Sequence, residues 1–131
     1  MITPSKSIAT MLADDDFGVL GVDLFYTTLP GQPDNAVAVI DTGGLAPVKE
    51  IPGMRRVTVQ ILVRDKEYDA GFQIAQAIYY HLHERYSGIS AANPIDGYGL
   101  GVALRQPTPI LKDENDRHIF TCNYLIHIQD Q

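Results

Sequence analysis

The stretch from Tyr68 to Tyr86 constrains this chain more than any other. Tyr68, Phe72, Ala75, Tyr79, Leu82 and Tyr86 recur at spacings of four and three, which keeps them on one face of a helix. Ile74 and Ile78 widen that stripe to the breadth expected of a helix lying on a larger apolar surface. Gln73, Gln76, Tyr80, His83, Glu84 and Arg85 take the solvent side. Asp69 in the first turn and Arg85 in the last complement the helix dipole, and Ser87-Gly88 supplies the stop. No other segment is as long or as periodic, so the rest of the chain reads as a sheet that this helix covers.

The flanking segments supply that sheet. Pro4 to Asp16 reads as a first helix, with Thr3 as N-cap and Ile8, Met11 and Leu12 as its apolar face. Three aspartates, Asp14 to Asp16, then oppose the dipole at its C-terminal end and help to stop it. Residues 19–34 read as extended and irregular, with Leu24-Phe25-Tyr26 as an apolar anchor and a turn cluster from Pro30 to Asp34. Residues 36–41 form a strand that is apolar on both faces, as an interior strand is. Val57, Val59, Ile61 and Val63 alternate with Thr58, Gln60, Leu62 and Arg64 in a second, half-buried strand. These two strands pair as an antiparallel ribbon. Its tip is a long connection, residues 42–56, where Gly43-Gly44, Pro47 and Pro52-Gly53 oppose regular structure while Leu45, Val48, Ile51 and Met54 are apolar.

After the main helix come a turn-rich loop (87–98), a small-residue strand (99–106) ended by Pro107 and Pro109, and a charged turn (112–117). A last strand, 118–128, turns Phe120, Cys122, Tyr124, Ile126 and Ile128 to the core. The order α-β-β-α-β-β predicts an α+β fold: a single, mainly antiparallel four-stranded sheet flanked by two helices, in one domain of 131 residues.

Chemistry is sparse. His81 and His83 point about 200° apart on a helix, and His118 and His127 lie on opposite faces of a strand, so neither pair grips a metal ion. The acidic runs 14–16 and 113–116 lack the spacing of a calcium loop, and the glycines match no phosphate cradle. Cys122 is a lone thiol on a core face, which fits packing and a reducing compartment. No catalytic group, metal or cofactor is predicted. No apolar run approaches the ~18 residues of a membrane span, and Lys6 is not followed by the apolar block of a secretory signal. The formal charge of −6 disfavours nucleic-acid binding; the closest basic pair is Arg55-Arg56. What remains is a protein whose work is association.

Taken in order, PGQPDNAVAVIDTGG, RRVTVQILVRD, the helix ending YYHLHERY, QPTPI, the acidic turn with Arg117 and HIFTCNYLIHI resemble the small bacteriophage minor capsid and tail-terminator proteins of the head-to-tail joint. The likeness runs from about Pro30 to the C-terminus. It implies a non-enzymatic virion protein, assembled in the host bacterial cytoplasm, that forms a hexameric ring. That ring caps the tail tube, ends its growth and presents a surface to the head connector, while DNA passes through without specific binding. It further implies that residues 42–56 are an arm reaching neighbouring subunits and the tail tube protein. On that reading the interface comprises Leu45, Val48, Lys49, Ile51, Met54, Arg55 and Arg56, with Tyr80, His83 and Arg85 as further contacts on the main helix. Two other readings stand beside it: a head-completion or neck protein on the capsid side, and a small α+β enzyme or ligand-binding domain using His83, His118 or His127 with an aspartate.

Overall fold

The computed structural model describes residues 4–45, 54–82, 99–103, 106–110 and 112–129. They form, in order, α1 (Pro4–Asp14), β1 (Leu24–Tyr26), β2 (Ala36–Leu45), β3 (Met54–Asp65), α2 (Tyr68–Leu82), β4 (Gly99–Ala103), β5 (Thr108–Pro109) and β6 (His118–Gln129). The strand order is β1-β2-β3-β6-β4, with β5 also paired to β6. The predicted α+β class holds, but the sheet has six strands and not four. It is mixed, because β1 runs parallel to β2 while the other pairs are antiparallel. Both added strands are too short for periodicity to reveal. β1 is three residues long, and β5 contains Pro109, which lacks an N–H and is tolerated at a sheet edge.

The central pair, β3 and β6, is in register from Met54↔Gln129 to Asp65↔His118. Their alternation matches: Val59↔Tyr124, Ile61↔Cys122 and Val63↔Phe120 share a face, and β2 adds Val37 and Val39 beside Val63 and Ile61. All of these residues are buried, with Tyr124 and Phe120 fully so. Ile8, Met11 and Leu12 of α1 and Ala75, Ile78 and Leu82 of α2 close over this face to form one core. Burying each such aliphatic side chain contributes roughly 1.5–3 kcal/mol. β2 lies between β1 and β3, the interior place its two apolar faces predict.

The buried stripe of α2 is Gly71, Ala75, Ile78 and Leu82, rotated from the predicted one. Tyr68 and Phe72 are more than one-third exposed. Gly71 explains the rotation: a Cβ there would stand 2.8 Å from the Phe120 ring, so the helix backbone itself docks on the sheet. The two aromatic side chains are left on the flank of Phe120, at ring-centre distances of 5.1 and 6.3 Å. The predicted last turn of this helix, from His83 to Tyr86, lies outside the described residues, as do Thr3 and the loop 87–98.

α1 ends at Asp14, the first of its three aspartates and two residues before the predicted end. Asp16 has a left-handed φ of 65°, its N–H donates to the Ala13 carbonyl, and the Phe17 N–H donates to the Leu12 carbonyl. This is a Schellman closure with aspartate at the position glycine usually holds. Phe17 then packs against the core. At the other end, Asp41 of β2 accepts from the Ser5 N–H at 2.9 Å and from the Ser5 hydroxyl at 2.6 Å. A carboxylate at a helix N-terminus satisfies an orphan donor and complements the dipole. It also fixes the direction of α1, antiparallel to β2.

Candidate assembly surface

The ribbon that the sequence proposes as an arm is strand for much of its length. Gly43, at a φ of 92°, lets β2 pass an irregularity between Asp41 and Gly44 and continue to Leu45. The expectation that Gly43-Gly44 prevents regular structure is thereby corrected. Leu45 pairs with Arg56, while Met54, Arg55 and Arg56 also pair with Gln129, Ile128 and His127 of β6. These positions are therefore the end of the sheet itself. Val48, Lys49 and Ile51 lie between them, outside the described residues, as do His83 and Arg85. Tyr80 is 74% exposed on the outer side of α2, edge-on to Tyr79.

At the opposite end of β2 the segment 17–24 makes a tight turn. The Val19 carbonyl accepts from the N–H groups of Val22 (3.0 Å), Asp23 (3.1 Å) and Leu24 (3.2 Å), and the Gly21 N–H donates to the Leu24 carbonyl at 2.9 Å. Asp23 Oδ1 accepts from the Val19 N–H at 2.7 Å. The turn is thus fixed by its own backbone and one carboxylate, yet Val19, Leu20 and Val22 are 59%, 38% and 61% exposed. Asp14, Asp15 and Asp16 border it. Asp15 is not merely solvated: its Oδ2 lies 2.6 Å from His81 Nε2, tying the end of α1 to α2. Sequence pattern does not single out this corner, because three aliphatic residues in an aperiodic stretch match neither the helix nor the strand period.

A second cluster holds the segment before β2. Arg117, on the turn into β6, donates from Nη1 to the Gly31 carbonyl at 2.6 Å and from Nε to Asp113 Oδ2 at 2.8 Å. Arg64 donates to the carbonyls of Pro33 and Asp34. Both guanidinium residues are buried, Arg64 at 3% and Arg117 at 4% exposure. Burial lowers the Arg64 guanidinium from its ordinary value; Arg117 adds to that, and Asp113 and Asp34 oppose it. Arg64 thus sits on the face the alternation assigns to it, but the 31–35 loop closes over it.

The cleft beside Arg64, lined by Phe17, Asp23, Asn35, Val37 and Ile74, is open to solvent and has a volume of about 80 Å³, room for several water molecules. His118 meets Tyr68 edge-on, has Asp65 as its cross-strand partner and does not line that cleft. Among the described residues no group of three or more metal-binding side chains occurs. No helix among them is long and apolar enough to cross a membrane. Burial pushes the Cys122 thiol up, as expected of a core cysteine.

An α+β module that holds out an apolar turn, with its buried arginines spent on holding loops, fits the class of structural assembly proteins. A family model described as bacteriophage tail terminator protein matches residues 11–130, and the chain belongs to that family. It is therefore a structural, non-enzymatic component of the phage virion that interacts with other tail or head proteins. A comparison with curated proteins gives no match.

Proposed function

We propose that the protein ends growth of the phage tail by capping the tail tube as a ring of six copies, facing the head connector on its other side. The family match across residues 11–130 carries this reading. Two further features support it. The segments at the two ends of β2 differ in sequence, acidic and apolar over 14–23 and basic and apolar over 45–56, as head-to-tail contacts between identical copies need. The net charge of −6 lets DNA move through the ring without adhering. The whole chain acts as one tail-terminator domain, and the ribbon end from residue 42 to 56 contacts the next copy and the tail tube protein. Tyr80 of α2 adds contacts, as do His83 and Arg85. The particle assembles in the host cytoplasm.

The test is electron microscopy of particles made without this protein. Tails of uncontrolled, excessive length are expected. Filled heads lacking tails, beside free tails of normal length, would overturn the terminator reading and place the protein on the capsid side of the joint. For the arm, a chain carrying both Ile51→Asp and Met54→Asp is expected to fold normally, by circular dichroism, and to yield no mature tails. Normal plating of phage with both changes would remove the arm assignment.

A further inference from the structure

We infer that the corner formed by Val19, Leu20 and Val22, with its acidic border, is the seat on which the β2–β3 ribbon of a neighbouring copy of this chain docks; this rests on the ring reading above. Large aliphatic side chains are held in water here by a turn that has already lost its freedom, so a partner that covers them orders little. Exposed, pre-organised apolar groups of this kind mark protein contacts.

Charge selects the occupant. Between residues 14 and 23 the chain carries Asp14, Asp15, Asp16 and Asp23 and no basic residue. The ribbon end carries Lys49, Arg55 and Arg56 against one acid, Glu50, in a chain whose net charge is −6. The ribbon also brings Leu45, Val48, Ile51 and Met54, which match the aliphatic corner. An acidic, apolar surface thus faces a basic, apolar one.

Geometry then requires that the two come from different copies. Ser5 on Asp41 and Leu24 beside Val37 place the corner at the start of β2, whereas the ribbon end begins at Leu45. Eight steps of strand from Val37 to Leu45 separate them by roughly 26 Å. Leu45 and Met54 both stand at that far end, and the nine steps of chain between them are too short to span that distance and return. A subunit cannot cover its own corner with its own ribbon. The contact is head-to-tail, the kind that closes rings.

A charge exchange tests this in phage whose own copy is replaced by the full-length chain. Asp14→Lys with Asp16→Lys is expected to lose tail termination, as is Arg55→Glu with Arg56→Glu. All four changes together are expected to restore at least a tenth of the titre and tails of normal length. Circular dichroism checks that each variant folds. Failure of the fourfold variant to recover, or full activity of either double variant, overturns the inference. Partner identity is read by cross-linking Val22→Cys to Met54→Cys in assembled tails with a short bis-maleimide. Multimers of this chain support the seat, and adducts only to the tail tube protein overturn it while the ring reading stands. Normal tail length in phage lacking the protein overturns both.

Discussion

Arg117 binds Asp113 twice over: its backbone N–H donates to Oδ1 at 2.9 Å and its guanidinium Nε donates to Oδ2 at 2.8 Å. One carboxylate thereby shapes the turn into β6 and aims the arginine at the Gly31 carbonyl, 86 residues away in sequence. Asp34 lies 3.5 Å from the same guanidinium and 3.5 Å from Lys66. Loop 31–35 is held against the sheet by charges, with little apolar packing of its own.

Arg117→Ala should consequently loosen that loop more than an ordinary surface change would. It leaves the Gly31 carbonyl without its charged donor, and hydrogen bonds to charged groups contribute about 1.5–3 kcal/mol. Urea denaturation should show a loss of that size, and hydrogen exchange should rise selectively over residues 31–35. A loss below about 0.5 kcal/mol would mean that the loop is held by other contacts.

The same site makes stability sensitive to acid. Burial raises the Asp113 carboxyl, but the N–H groups of Arg117 and Asn115 and the Arg117 guanidinium outweigh it, and the net shift is downward. A carboxyl depressed by folding contributes stability that is present above its unfolded value, about 3.9, and is lost as pH falls through the lower folded value. Asp113→Asn should therefore be less stable than the parent at pH 7. The gap should narrow as pH falls below about 4. Thermal melts of both proteins from pH 7 to pH 2.5 measure it, and a constant gap would exclude the linkage.

Gly71→Ala sets two effects against each other. In an exposed helix interior the change gains about 1 kcal/mol of helix propensity. Here the new Cβ would stand 2.8 Å from the Phe120 ring and 3.0 Å from the Asp65 Cβ, and Phe120 is fully buried with only a void of about 10 Å³ beside it. Overpacking of this kind costs typically 1–3 kcal/mol. The net expectation is a loss of about 1 kcal/mol in urea melts. A stabilised variant would mean that α2 can lift from the sheet at little cost.

Gly71 also marks the boundary between what local sequence pattern encodes and what it does not. Along β6 every second residue from Phe120 is apolar while the other face is mixed, so the period assigns Phe120, Cys122, Tyr124 and Ile126 to the core. Helical spacing does the same for Ala75, Ile78 and Leu82. The rotation that exposes Tyr68 and Phe72 depends on a glycine meeting a phenylalanine 49 positions away, which no local period encodes. The same holds for Asp41 capping α1, for β1 lying parallel to β2, and for the closure of loop 31–35 over Arg64. At the proposed assembly surface, Leu45, Met54 and Arg56 are legible as apolar and basic ribbon residues. The acidic aliphatic corner is not, because its order comes from backbone hydrogen bonds and not from side-chain pattern.

Tyr124 offers the sharpest test of the core. Its hydroxyl is buried and makes no hydrogen bond of ordinary geometry among the described residues, its one polar interaction being with the Cys122 thiol; burial, and then Cys122, push the phenol above its ordinary value. The adjoining void, lined in part by Ile61, Cys122 and Tyr124, is about 10 Å³, at the lower limit of the ~10–15 Å³ that one water molecule needs. A buried polar group left unpaired costs about 1–3 kcal/mol, so deleting it should not harm the fold. Tyr124→Phe keeps the ring against Val59 and enlarges the void by one oxygen. The variant is expected to equal the parent or exceed it by up to about 1 kcal/mol in urea denaturation. Tyr124→Ala should lose about 3–5 kcal/mol, because the ring fills the centre of the core. A loss above about 1 kcal/mol for Tyr124→Phe would show that the hydroxyl is satisfied in solution, by water in the void or by the Cys122 thiol.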